Sequence, residues 1–407
     1  MTIMHILFIT GEYPPMRGGV GAYTACLAEA LQRHGARVSI LTGVDAQRAA
    51  HSPHRTRTDT LIFGQRRWWP TIWYSIPRLA RTIGADWIHI QYQTAAFAMN
   101  PSINLAPTVW RSIRPLLSLP PIAWTYHDLL VPYLFPKAGA QLRRWVTAQP
   151  AHHSALTIVT NEADRIQLQA EQGVDAVKIP IGSNIMPPQL APDVRAKRRA
   201  QRNYEDGQLV LGYFGFLNRS KGGITLIQTL DRLVQRGYDA HLLMIGERVG
   251  ASDPTNFAYL HEVETLIGSR GLGKRVRWTG HQSADEVSKD LAAIDLLLMP
   301  YVDGASLRRG TLMAGLAHGC AIVTTTPQGP LSELTDGQEV LFISPENPIA
   351  AADAVARLAE NPTLRQILGQ RAQQKSLQFT WDAIAQSHLH NYSLNVSNFI
   401  PSGATDR

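Results

Sequence analysis

Two adjacent arginines, Arg308 and Arg309, stand between the hydroxyl residues Ser306 and Thr311 in the stretch LLLMPYVDGASLRRGTLMAGLAHGCAIVTT. Guanidinium forks form bidentate hydrogen bonds that match phosphate oxygens. The apolar run ending at Met299 and Pro300 reads as a buried strand, residues 303–309 as a loop, 310–318 as a helix and 321–325 as a second strand. The arginines therefore precede a helix N-terminus, where the N–H groups of Gly310 and Thr311 and the positive end of the macrodipole favour an anion. Taken alone, the pair fits a solvated, capped loop as well as it fits a phosphate site. A second loop of the same kind, NRSKGG at 218–223, lies between the apolar run that starts at Leu209 and another helical pattern. Its Lys221 adds a point charge suited to phosphate. Two such loops in one stretch of chain favour the phosphate reading.

These loops need a scaffold, and the apolar runs supply it. Strand patterns at 5–10, 37–41, 87–91, 122–126, 156–160 and 177–181, then from 209 and at 241–245, 276–279, 296–299, 321–325 and 340–343, alternate with helical stretches. That alternation implies α/β architecture with doubly wound parallel sheets, whose ligands lie beyond the carboxyl ends of the strands. His127 follows the strand at 122–126. A histidine there suits either catalysis at a crevice or a structural hydrogen bond, and Asp128 suits a structural role at least as well. Gly18 and Gly19, in the RGGVG loop after the first strand, let backbone approach a ligand closely. The spacing is not that of a dinucleotide fingerprint, and a plain strand-to-helix turn explains it equally.

A chain of 407 residues exceeds one ordinary core, at roughly 150 residues per domain. Hydrophobic content of 44% with 17% charged residues marks a globular protein. Cys26 and Cys320 lie far apart, which argues against a disulfide framework or a metal cluster. No apolar run reaches the ~18 residues of a membrane span, and no secretory leader opens the chain. The net charge of +7 arises wholly within residues 1–190, where 17 basic residues face 10 acidic ones; residues 191–407 carry 22 of each. An acidic substrate or membrane surface is therefore expected to meet the N-terminal half. Arg66, Arg67, Trp68, Trp69 and Trp73, then Arg78, Arg81, Arg143, Arg144 and Trp145, suit an anionic membrane interface. The competing reading places the tryptophans in the core and the arginines in solvent. The prolines and basic run of 187–203 read as a solvated linker. The expected organisation is a domain at 1–190, a linker at 191–206, a second domain at 207–380, a final helix at 381–395 and a polar tail at 396–407. The basic run is short and lacks interleaved aromatics, so no nucleic acid is expected as partner.

The segments ITGEYPPMRGGVGAYTACLAEAL, TYHDL, IPIGSN, GFLNRSKGGITLI, RVRWTGHQSADEV, LAHGCAIVTT and FTWDAIA resemble, in order and spacing, the retaining glycosyltransferases of family 4 over nearly the whole chain. The resemblance implies the GT-B fold, two Rossmann-like doubly wound domains facing across a cleft, with a nucleotide-sugar bound mainly by the C-terminal domain. It also implies no metal or other cofactor, and a last helix that returns to the N-terminal domain. Gly18 and Gly19 match the family's glycine loop facing donor phosphates and acceptor. His127 matches a histidine that touches the donor sugar near the scissile bond. Lys221, with Asn218 on the same loop, matches the phosphate lysine, and Gly280 and His281 fall in a further donor-side turn. The arginine usual five residues before the lysine is Phe216 here. The usual paired glutamates fall on Ser306 and Ala314, so the residue that normally holds the ribose is missing. On this basis Ser306, Arg308, Arg309 and the N–H groups of Gly310 and Thr311 are expected to carry the phosphate contacts. The implied function is metal-independent transfer of a sugar, with retention, to a sugar or lipid-linked acceptor in polysaccharide or glycolipid biosynthesis. It would take place in the cytoplasm, at the inner face of the membrane. A non-catalytic sugar-nucleotide binder and another GT-B enzyme, such as a sugar-nucleotide epimerase, remain open alternatives.

Overall fold

A computed structural model describes residues 3–16, 18–50, 60–117, 119–129, 139–185, 187, 191–248 and 255–397. Arg17 of the glycine loop and residues 398–407 of the expected tail lie outside the described residues. The apolar runs form parallel strands, and most are buried on both faces, which is why they read as continuous rather than alternating. In the first unit β1 (His5–Thr10), β2 (Arg37–Gly43), β3 (Leu61–Gln65), β4 (Trp87–Tyr92), β5 (Ile122–Tyr126), β6 (Leu156–Val159) and β7 (Val177–Lys178) lie in the order 3-2-1-4-5-6-7. In the second, β8 (Leu209–Phe214), β9 (Ala240–Ile245), β10 (Val276–Trp278), β11 (Leu296–Met299), β12 (Ile322–Thr325) and β13 (Leu341–Ile343) lie in the order 10-9-8-11-12-13. Each sheet is a Rossmann-like, doubly wound α/β layer, the GT-B pattern in both halves. In each, strand order reverses between neighbours, β1 beside β4 and β8 beside β11. Loops leaving those two strands diverge to opposite faces and open a crevice between them.

Both crevices are tightened by glycine. A Cβ on Gly11, after β1, would lie 1.9 Å from the carbonyl oxygen of Ala96, after β4. A Cβ on Gly222, after β8, would lie 1.8 Å from the carbonyl oxygen of Pro300, after β11. Gly222 also has φ +70°, a conformation that a side chain disfavours.

The first compact unit comprises Met1–Gly182 with Thr380–Arg407, the second Ser183–Phe379. The C-terminal helix, Trp381–Ser397, buries Trp381, Ile384, Ala385 and Tyr392 in one cluster with Tyr23, Leu27 and Trp87 of the first unit.

The structure adds to or corrects the sequence reading at three places. The strand β3 was not anticipated; it is a short edge strand with Gly64 near its end and only partial burial, so its signal is weak. The basic run expected as a solvated linker contains instead the helix Val194–Gln201. Its Arg198 is buried and bonds Asp290 (2.6 Å) and Glu286 (2.7 Å), Arg202 bonds the same Asp290 (2.8 Å), and Arg195 and Arg199 both reach Asp295. Charge opposite charge, rather than water, accounts for the run. The tryptophans divide between the two readings given them. Trp68 is core and Trp73 donates its indole N–H to the Ser102 carbonyl, while Trp69 and Trp145 are exposed.

Candidate active site

The crevice between β8 and β11 gathers the residues whose chemistry the sequence singled out. Asn218 opens a 3-10 turn, Arg219–Lys221, that ends at Gly222 and feeds the helix Gly223–Gln235. The backbone N–H of Val302 donates to the Ser220 carbonyl at 2.8 Å and stitches this loop to the one after β11. The stitch and the Gly222 contact fix where Lys221 emerges. Its Nζ lies 4.1 Å from the centre of the Phe216 ring, and a Cβ on Gly215 would meet that Nζ at 3.2 Å and Thr311 Cγ2 at 3.1 Å. Lys221 and Thr311 therefore converge from the two loops over a glycine.

Burial, and secondarily the charge of Arg309, lowers the Lys221 pKa to about 8, against a smaller opposing effect of Asp303. The ammonium has an aromatic face beside it, and no hydrogen-bond or carboxylate partner among the described residues. Such a group favours an incoming anion.

The two arginines are not equivalent. Arg309 is the N-cap residue of the helix Gly310–Ala317, its guanidinium ion-paired with Asp303 and stacked 4.2 Å from the centre of the Tyr301 ring. Tyr301 is fully buried, and its hydroxyl shares a hydrogen bond with Thr311 Oγ1 at 3.1 Å. Arg308 is exposed, and its backbone N–H donates to Ser306 Oγ at 3.3 Å. The N-cap residue of the helix Gly310–Ala317 makes no side-chain cap bond, so among the described residues the first N–H groups, those of Gly310 and Thr311, keep their capacity for an anion. Ala314 is fully buried, and neither it nor Ser306 offers a carboxylate.

Beside Lys221 the floor is glycine. Gly215 (φ +117°), Gly246 (φ +108°) and Gly280 (φ +70°) follow β8, β9 and β10; Gly246 and Gly280 are bridged, and a Cβ on Gly246 would meet Gly215 backbone at 3.8 Å. Gly215 and Gly246, like Tyr301 and Asp303, were not picked out from the sequence; an isolated glycine or acid carries no spacing signal. His281 points elsewhere, exposed and 3.3 Å from Glu247.

The remaining candidates belong to the first unit. Gly18 and Gly19 begin the helix Gly19–Arg33, and Gly18 has an ordinary extended φ of −177°. Its lack of a side chain has another cause: a Cβ there would lie 2.1 Å from the Glu12 carboxyl carbon. Glu12 Oε1 accepts the N–H groups of Val20 (3.0 Å) and Gly21 (3.1 Å), so a carboxylate of the chain itself occupies this helix start. His127 follows β5, its Nε2 2.8 Å from Gln91 Oε1 on β4 and its ring edge-on to Tyr23 at 4.7 Å. Burial, then the neighbouring His388, lowers its pKa to about 3, so the ring is neutral at ordinary pH. Among the described residues no group of three or more His, Cys, Asp or Glu is placed to hold a metal, and no helix is long and apolar enough to cross a membrane.

Comparison with known proteins places this geometry. The family model of glycosyl transferases group 1 matches residues 194–375, and that of glycosyltransferase family 4 matches 17–185. A D-inositol 3-phosphate glycosyltransferase of Corynebacterium diphtheriae is 27% identical over 198 residues, 46% of this chain and 44% of that protein. An alpha-D-kanosaminyltransferase of Streptomyces kanamyceticus is 23% identical over 59% of this chain and 60% of its own length. The match thus spans only about half the length of these relatives. A phosphatidyl-myo-inositol mannosyltransferase of Mycobacterium tuberculosis is 23% identical over 92% of this chain and 93% of its own. Among solved structures, a glycosyltransferase from Rickettsia africae superposes with a TM-score of 0.76 at 17% identity, covering 98% of this chain and 100% of that one. Anabaena HepE in complex with UDP does so at 0.74 and 18%, over 96% and 100%.

Proposed function

Because the chain belongs to the family-4 glycosyltransferases, we propose that it moves a sugar from a nucleotide-diphosphate sugar to an acceptor hydroxyl, with retention and without a metal. The observation that carries this reading is the convergence of Lys221 and Thr311 at the β8/β11 crevice, beside Arg309 and an uncapped helix start. Departure of the nucleotide builds negative charge on its diphosphate, and preorganised cations and N–H dipoles lower the energy of charge that develops in a transition state. Lys221 and Arg309 supply the positive charge, Gly310 and Thr311 the N–H groups, and Arg308 and Ser306 the rim. The glycines after β8, β9 and β10 let the donor lie against backbone, with Asn218 beside it.

Retention follows if the acceptor attacks on the face that the nucleotide leaves. The bond from the anomeric carbon to the phosphate oxygen breaks, the bond to the acceptor oxygen forms, and the acceptor proton passes to the departing phosphate. No side chain need be a strong base, which suits a His127 held neutral. His127 contacts the sugar and polarises it.

The acceptor is a sugar or a lipid-linked sugar, the class suggested by the inositol and phosphatidyl-inositol acceptors in relatives' names. Arg66, Arg67, Trp69, Tyr74, Arg78 and Arg81 are exposed, with Arg67 4.9 Å from the centre of the Trp69 ring, and basic and aromatic surface of this kind supports work at an anionic membrane, at the cytoplasmic face. A non-catalytic sugar-nucleotide binder is the second reading, favoured by the absence of carboxylates at Ser306 and Ala314. A donor screen that reads nucleotide release, with and without sugar acceptors, tests both. Acceptor-dependent release that Lys221→Met abolishes supports the transferase. Nucleotide binding without release supports the binder, and no binding to any nucleoside diphosphate refutes both.

A further inference from the structure

Beneath His127 runs a chain of buried polar groups that ends on the C-terminal helix. His127 Nε2 lies 2.8 Å from Gln91 Oε1, Gln91 Nε2 lies 3.3 Å from His89 Nε2, and His89 Nδ1 lies 2.5 Å from Tyr392 Oη. Thr125 Oγ1 stands 2.7 Å from the same His89 Nε2. Gln91, His89, Thr125 and Tyr392 expose no surface, so bulk solvent does not reach them. A neutral imidazole has one N–H and one lone pair, and an amide has oxygen at one end and N–H at the other. Fixing one member therefore fixes the rest.

We propose that Tyr392, acting through His89 and Gln91, sets the tautomer of His127, with the proton on Nε2 and Nδ1 bare to accept a hydrogen bond from a sugar hydroxyl. Gln91 turns its oxygen to His127 and its N–H to His89, so His89 Nε2 is the acceptor, shared by that N–H and the Thr125 hydroxyl, and the His89 Nδ1–H donates to Tyr392 Oη. Facing the amide oxygen, His127 Nε2 must then carry the proton. The His127 hydrogen bond among the described residues runs through Nε2, and His127 keeps partial exposure. In the opposite arrangement His89 donates from Nε2 to Thr125, Gln91 turns over, and His127 presents an N–H at Nδ1. The two arrangements offer a ligand opposite polarity: one accepts from a hydroxyl, the other donates.

Neighbouring rings hold the chain in place without entering it. Phe8 packs on His89 at 5.0 Å and Tyr23 on His127 at 4.7 Å. His388, whose ring centre is 5.7 Å from that of His89, is committed through Nδ1 to the Ile384 carbonyl at 2.9 Å. Burial keeps all three imidazoles neutral, so tautomer rather than charge is the variable that the chain controls. Gln91, His89 and Tyr392 are positioning residues, and the inference rests on the reading of His127 as a sugar contact.

The test uses the full-length protein with 15N-labelled histidine, the His127 resonances being identified by their loss in His127→Gln. Wild-type His127 is expected to be protonated at Nε2. Tyr392→Phe removes one oxygen from an otherwise unchanged ring, strands the His89 Nδ1–H, and is expected to move His127 toward Nδ1 protonation. Gln91→Leu is expected to leave it a mixture of the two. Leu389→Ala, a packing change on the same helix, leaves the tautomer as it is. In transfer assays Tyr392→Phe lowers kcat by about tenfold, the scale of one lost hydrogen bond, with donor KM within about twofold. Wild-type His127 protonated at Nδ1, or a tautomer indifferent to Tyr392→Phe, overturns the relay whether or not activity is found. A tautomer that shifts as expected in a protein without transferase activity overturns the proposed function and leaves the relay standing.

Discussion

The Lys221 ammonium rests 4.1 Å from the centre of the Phe216 ring, at the position where the resemblance implied an arginine. An aromatic face stands where that cation was expected, and Lys221, largely buried, has its pKa lowered to about 8. A bound diphosphate favours the charged amine and raises that value, so binding above pH 8 takes up a proton. Affinity for uridine diphosphate, taken as probe, is therefore expected to be level below about pH 7.5 and to fall by up to about tenfold per unit above pH 8. Lys221→Met should bind weakly with a flat profile. Calorimetry from pH 7 to 9.5 reads both, and a wild-type affinity constant over that range contradicts the role given to Lys221.

Gly222→Ala puts a methyl group on the Pro300 carbonyl and strains a residue at φ +70°. The strain alone is about 1–2 kcal/mol, and relieving the clash parts the two loops. The second unit should lose at least that much stability, and nucleotide affinity should fall with it. Gly237→Ala is the control. Its φ of +88° is equally strained, but a Cβ there meets nothing within 4 Å, so stability should drop while affinity holds. Equal affinity losses in the two variants would contradict the idea that the loop contact places Lys221.

Asp303 holds Arg309 in the absence of ligand. Replacing it by Asn frees the guanidinium and removes a like charge from the path of a phosphate. Because Asp303 is half exposed, solvent screens the pair, and the expected gain in diphosphate affinity is modest, up to about fivefold. Weaker binding in Asp303→Asn would mean that Asp303 aims Arg309 rather than competes for it.

Asp290 has no exposed surface and two arginine partners. Arg198→Ala leaves that carboxylate short of its main counter-ion, a change of about 3–5 kcal/mol for a buried pair. Urea unfolding should show the loss in the transition of the second unit, whereas Lys197→Ala, an exposed neighbour paired only with Asp193, should change little. Comparable values for the two would contradict the buried network.

The face carrying Arg67, Trp69, Tyr74, Arg78 and Arg81 is expected to sediment with vesicles containing anionic lipid and not with zwitterionic ones. Replacing Trp69 by Ser and Arg78 and Arg81 by Gln should remove most of the bound fraction. Sedimentation independent of lipid charge would refute the electrostatic attachment.

Local pattern made much of the fold legible, because strands buried on both faces write unbroken apolar runs such as His5–Thr10 and Leu296–Met299. The helix Val194–Gln201 was not legible for a physical reason: its arginines look like solvent ligands until Glu286, Asp290 and Asp295, some ninety residues on, come into contact. Trp68 and Trp69 are indistinguishable by type, and only strand and helix placement buries one and exposes the other. At the candidate site, Lys221 and the two arginines were visible as loop chemistry, but their inequality was not, because Arg309 is defined by Asp303 and Tyr301. The partners of His127 were hidden as well. Gln91 and His89 reach it only through the pairing of β4 with β5, and Tyr392 through a helix that returns from the end of the chain.

Glu12 gives the two architecturally matched halves different appetites. With its carboxylate seated on the first amides of the helix Gly19–Arg33, that helix start is a plugged socket, whereas the N-cap residue of the helix Gly310–Ala317 makes no such bond. One acidic side chain thereby sets these two helix starts apart.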